Sequence, residues 1–155
     1  MKFSDLPHLA RRTWQSYTAK PLTSIEQDDV RSVLLEGEYQ LWSSFGTQDQ
    51  RHSYIVLKRF CEMSTECSVD ACRAALLHDI GKIQVDLSTT KRVVATFVGG
   101  RTKSFRIYHD HENIGLRLLK TVSSAETLRL LSEMFNEGEQ STDITVRQLC
   151  QADHV

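Results

Sequence analysis

The sequence predicts an all-α fold, a single-domain helical bundle, and three observations carry that prediction. Turn formers are scarce, with seven Gly and two Pro in 155 residues, roughly half their usual combined share. That shortage argues against collagen-like, low-complexity and many-hairpin β architectures. Apolar residues recur at helical spacing through most of the chain. Ser, Thr and Asp stand just ahead of several of those runs, where helix N-caps belong. The composition, 40% apolar and 25% charged, is globular, and a chain of this length buries a core without disulfide or metal staples. No repeat or linker divides it, so residues 1–155 read as one domain, with 1–37 as helices packing on a core region of 38–155.

The elements follow in order. Pro7 opens a short helix carrying Leu9, Trp14 and Tyr17. Ser24-Ile25-Glu26-Gln27 fits a capping box in which Gln27 reaches back to Ser24. The helix it opens carries Val30, Val33 and Leu34, and Gly37 is its expected stop. Tyr39, Leu41 and Trp42 continue it past a break. A helix is expected over about 50–62, with Ile55, Val56 and Phe60 in period. Ser68 caps the next, which runs through Val69, Cys72 and Leu76 to end near His78-Asp79. The stretch 112–121 shows an apolar stripe of Ile114, Leu118 and Val122. Ser123-Ser124-Ala125-Glu126 is a second capping box, and Asn136-Glu137-Gly138 ends its helix. Thr142-Asp143 precedes a last helix with Ile144, Val146 and Leu149. Val93–Val98 and Gly99-Gly100 fit a helix and loop or a hairpin, with the helix preferred.

Charge and composition exclude several classes. A net charge of −1 creates no global field for nucleic acid or acidic lipid, so neither is an expected partner. No apolar run is long enough to span a bilayer. Met1-Lys2-Phe3-Ser4-Asp5 leads into no hydrophobic stretch, so the expected location is cytoplasmic. Cys61, Cys67, Cys72 and Cys150 form no CxxC pair, which weakens zinc-finger and thioredoxin-like readings and favours small apolar residues of a helical core.

The chemistry concentrates in Ala74-Ala75-Leu76-Leu77-His78-Asp79-Ile80-Gly81-Lys82. A run of small and apolar residues buries this helix, yet an imidazole and a carboxylate stand side by side at its end. Burying an unpaired carboxylate costs several kcal/mol, so either a neighbouring Arg or a metal ion must offset its charge. Imidazole and carboxylate are both good ligands for divalent first-row ions.

With its apolar run before and Gly-Lys after, this motif resembles the HD-domain superfamily of metal-dependent phosphohydrolases. That family carries an early His, a His-Asp pair and a distant Asp on helices of one bundle. The resemblance runs from about Glu38 to Asp153 and implies His52, His78, Asp79 and Asp153 as metal ligands. His111-Glu112-Asn113-Ile114-Gly115 looks like an element of the HD-GYP branch, in which the His joins a second metal position. The Gly-Tyr-Pro element is absent, and Met134-Phe135-Asn136-Glu137 stands where that branch has a His-His pair. The expectation is therefore one well-held divalent ion, of Mn, Mg, Fe, Co, Ni or Zn.

Given that resemblance, the expected function is hydrolysis of a phosphoester of a nucleotide or other small phosphorylated metabolite. Asp79 would also orient water, and Lys82 would stabilise charge on the phosphoryl group. Lys82, Arg51 and His111 are the candidate substrate contacts, with Arg92 and the basic stretch Arg101–Arg106 weaker. A catalytically inactive, nucleotide- or protein-binding regulatory module on the same scaffold is the alternative, and a plain bundle without chemistry the third reading. The expected partner is a small phosphorylated substrate, and a homodimer would be unsurprising.

Overall fold

The computed structural model describes residues 20–84 and 111–154. The helix expected after Pro7, the Val93–Val98 segment, Arg92 and the basic stretch Arg101–Arg106 lie outside the described residues. Within them are seven α-helices: α1 Ser24–Val33, α2 Glu36–Ser43, α3 Thr47–Met63, α4 Val69–Leu77, α5 His111–Leu119, α6 Ala125–Asn136 and α7 Ile144–Asp153. Two 3₁₀ turns, Ile80–Gln84 and Gly138–Gln140, join them, and no strand occurs among the described residues. None of the described helices is long and apolar enough to cross a membrane.

Local cap chemistry sets most boundaries. The Ser68 hydroxyl accepts the Ala71 N–H, Ser124 accepts that of Thr127 and Asp143 that of Thr145. Each removes one orphan donor from a helix start, for about 1 kcal/mol. The first capping box lies one residue earlier than expected. Thr23 is the cap, Glu26 accepts the Thr23 N–H at 2.7 Å, and the Gln27 amide instead donates to Leu22 O. A carboxylate is the stronger acceptor there.

Gly37 does not stop a helix. The break falls at Leu34 and Leu35, both extended, and Gly37 lies in the first turn of α2. A Cβ on Gly37 would stand 2.7 Å from that of Val122. The residue serves the close approach of α2 to the turn after α5, not chain reversal.

Helix α4 is the centre of the bundle. Ala71, Ala74, Ala75, Leu76 and Leu77 are buried, as are both faces of their helix, the pattern of a helix enclosed by its neighbours. It packs against α1, α2, α3, α6 and α7. Phe60, Trp42, Leu130, Leu131 and Leu149 complete the core around it, each contributing about 2–3 kcal/mol by leaving water. Trp42 fills it and donates its indole N–H to Ser53 Oγ at 3.0 Å. Only two cysteines follow the expected core role: Cys72 and Cys150 are buried, whereas Cys61 and Cys67 are exposed.

Candidate metal centre

Three helix ends meet on one side of α4. His52 projects from the second turn of α3, His78 caps the C-terminus of α4 with Asp79 next to it, and Asp153 ends α7. His52 Nε2 lies 3.0 Å from Asp153 Oδ1 and 3.8 Å from Asp79 Oδ2. His78 Nε2 lies 3.4 Å from Asp79 Oδ2 and 3.3 Å from Asp153 Oδ1. The two imidazoles face edge to face, 5.4 Å between centroids. All four expected ligands are thus brought together. Donors bound at about 2.0–2.2 Å around one ion stand roughly 3.0–3.6 Å apart, close to the spread seen.

His78 supplies the test of fit. Its Nδ1 contacts Ala75 O at 2.9 Å, so Nδ1 carries the proton and Nε2 faces the carboxylates. That Nε2 is buried and has no aligned hydrogen-bond partner. An orphaned imidazole nitrogen between two carboxylates, with a second imidazole beside it, suits a divalent cation of the first row. The electrostatics agree. Burial alone pushes the His78 pKa down, but the charge of Asp79 and then Asp153 outweigh it and carry it up to about 10. Burial likewise opposes ionisation of both carboxyls. Lys82 and His78 nevertheless hold Asp79 well below the carboxylate range, and His52 and His78 do so for Asp153. A place that attracts a proton this strongly attracts a cation.

The remaining expected residues separate. Lys82 ion-pairs with Asp79 Oδ2, the oxygen that also faces both imidazoles. His111, the first residue of α5, sets Nε2 3.3 Å from the other oxygen, Oδ1. It is held there by Gly81 and Gly115, where the 3₁₀ turn and α5 touch backbone to backbone. Arg51 is a correction. Its guanidinium binds Glu26 at 2.6 Å and donates to the carbonyls of Lys20 and Pro21, so it ties the segment before α1 to α3 and has no reach left for phosphate. His154, next to Asp153, turns to Glu139 at 3.2 Å and does not compete as a ligand.

A cleft of about 400 Å³ opens beside His78, Asp79, His111 and Asp153. Its far wall holds Met134, Phe135, Glu137 and Glu139, and Glu112 joins them. Met134–Glu137 is thus the stretch where the resemblance implies histidines, and an apolar and acidic wall stands there instead. Sequence reasoning passed over these carboxylates. Glu112 beside His111 was the one local signal for them. Three acidic side chains repel phosphate, so an anionic ligand needs cations in the same cleft.

The family model of the HD domain matches residues 50–155. No curated protein and no solved structure matches the chain.

Proposed function

The chain belongs to the HD-domain family, and from that premise we propose that it is a metal-dependent phosphohydrolase acting on a nucleotide or other small phosphorylated metabolite. The observation that supports this most is the orphaned Nε2 of His78 between two ionised carboxylates. His52, His78, Asp79 and Asp153 would hold the divalent ion. When bound, such an ion supplies Lewis acidity towards a phosphoryl oxygen and lowers the pKa of a bound water.

The protein's own residues do the rest. Asp79 keeps its negative charge inside the protein, able to accept a hydrogen bond from water in the cleft and so orient it. Lys82 and a cation are alternative partners for Asp79 Oδ2. A bound ion would compete for Asp79 Oδ2, and the Lys82 ammonium held at that oxygen would then be able to pair with a phosphate oxygen drawn to the ion. His111, at the cleft wall, offers a second donor on the same side. Phe135 and Met134 provide an apolar surface opposite, suited to a flat or aliphatic part of the substrate.

A second reading rests on the Lys82–Asp79 pair itself, which neutralises the carboxylate without any metal. On that reading the cleft binds a nucleotide or protein partner without turnover. Phosphate release from a panel of nucleotides and sugar phosphates separates the two. Turnover in the metal-loaded protein, abolished by Asp79→Asn and reduced about 10²-fold or more by Lys82→Ala, is the expected result. Folded, metal-loaded protein that binds nucleotides without hydrolysing any of the panel supports the second reading, and turnover unaltered by Asp79→Asn overturns the first.

A further inference from the structure

Away from this centre, three cysteines converge. Cys61 lies in the last turn of α3, Cys67 in the loop that follows and Cys72 in the first turn of α4. Their three sulfurs all lie within 4.8 Å of one another, with Cys61 and Cys72 at 3.9 Å. A disulfide needs about 2.05 Å, so no pair is bonded. Three thiolates bound at ~2.3 Å to a single ion stand roughly 3.8–4.0 Å apart. The sulfurs therefore have the spacing of a ligand set around one ion.

We propose that Cys61, Cys67 and Cys72 form a second metal site, for a thiophilic cation of the Zn²⁺ class. Three sulfur donors select soft or borderline ions over Mg²⁺, Ca²⁺ or Mn²⁺, which prefer oxygen. Two of the three are exposed, so ions reach the site from solvent and a fourth position stays open to water or an external ligand. Each thiol passes its proton to solvent as its sulfur–metal bond forms.

The location gives the site a consequence. Helices α3 and α4 form a hairpin that carries His52 and His78, and the thiols close its loop end. Cys61 is nine residues after His52 and Cys72 six before His78, roughly 13 Å and 9 Å along their helices. An ion held by all three cysteines fixes the separation of the two helices that present the imidazoles. The thiol site is thus a structural clamp, with no role in the chemistry of the cleft.

Cobalt(II) titrated into the reduced, full-length protein tests this, since His and carboxylate ligands give no thiolate-to-cobalt charge transfer. The expected result is near-ultraviolet charge-transfer absorption that saturates at one ion per chain and is displaced by Zn²⁺. It persists in Cys150→Ser, whose thiol lines the cleft, and is lost in Cys67→Ser, which alters only an exposed loop. Zn²⁺ also raises the melting temperature of the wild type more than that of Cys67→Ser. No charge-transfer absorption in reduced protein overturns the proposal. So does absorption that survives Cys67→Ser, or oxidation to a Cys61–Cys72 disulfide by a protein that takes up no thiolate-bound metal.

Discussion

Gly81→Ala adds one methyl where the fold has no room. The new carbon would stand 1.8 Å from the carbonyl oxygen of His111, 2.6 Å from its carbon and 2.8 Å from Gly115 N. Ordinary contact begins near 3.4 Å, so the 3₁₀ turn and α5 must part by roughly 1.5 Å. Both sides of the clash are backbone, and neither can rotate away. Overpacking costs typically 1–3 kcal/mol, and a rigid contact of this kind belongs at the upper end, near ~3 kcal/mol. The same displacement carries His111 away from Asp79, now 3.3 Å distant. Urea unfolding measures the stability loss, and turnover at saturating metal measures the loss of His111. Gly115→Ala is the comparator. Its Cβ would meet the Cγ2 methyl of Ile80 at 3.2 Å and Gly81 N at 3.3 Å, and the gain of about 1 kcal/mol in helix propensity offsets much of that. A Gly81→Ala protein as stable as Gly115→Ala, with unchanged turnover, would refute the close-packing argument.

Other substitutions probe separate parts of the account. Glu38 is fully buried, accepts the Leu35 N–H at 2.8 Å and the Ser123 hydroxyl, and lies 3.6 Å from Arg73. Glu38→Ala leaves the buried Leu35 N–H and the Ser123 hydroxyl without this acceptor, while Arg73 keeps Asp70 and the Val33 carbonyl. It should cost about 2–3 kcal/mol in urea unfolding, and a loss under about 1 kcal/mol contradicts this. Arg51→Ala should lower stability by about 1–2 kcal/mol, since the pair is partly solvated, and leave KM for phosphate substrates unchanged. Arg51, with Thr23, holds the Glu26 pKa down to about 2. The Glu26 contribution is therefore present above the ordinary Glu value and lost as pH falls towards 2, and in acid titrations the wild-type advantage should vanish with it. A raised KM at unchanged stability would restore Arg51 as a phosphate contact. Metal binding must displace the proton that His78 holds up to about 10, whereas Asp79 and Asp153 are already ionised. Affinity for Mn²⁺ should thus rise about tenfold per pH unit between pH 6 and 9, with one proton released per ion. A dissociation constant flat over that range counts against His78 as a ligand.

What the sequence made legible was local chemistry. Ser68, Ser124 and Asp143 cap helices because a hydroxyl or carboxylate meets a backbone N–H three residues away or less, and that pattern is written in consecutive letters. Adjacent Thr23 and Ser24 both offer a cap hydroxyl, and the carboxylate of Glu26, a stronger acceptor than the Gln27 amide, decides for Thr23. Gly37 was misplaced because its reason, Val122, lies on a distant turn. The four expected ligands converge because the His-Asp motif ends the most enclosed helix, and Asp153 follows in the right chain order on α7. Arg51 was misassigned because Glu26, Lys20 and Pro21 belong to another segment, and spacing carries no information on that contact. Lys82 was expected at phosphate and pairs with Asp79 instead, a contact that the spacing of three residues allowed but did not single out. The cysteine cluster was not, because it needs the end of α3 and the start of α4 to lie side by side.

The central claim is that residues on three helices hold one ion, and metal stoichiometry tests it most directly. Equilibrium dialysis of Mn²⁺ at pH 8, with Cys67→Ser as the common background, should give one ion per chain. Adding His78→Ala or Asp79→Asn should reduce this to near zero while circular dichroism shows the helices retained. One ion per chain in both of those folded variants would contradict the account.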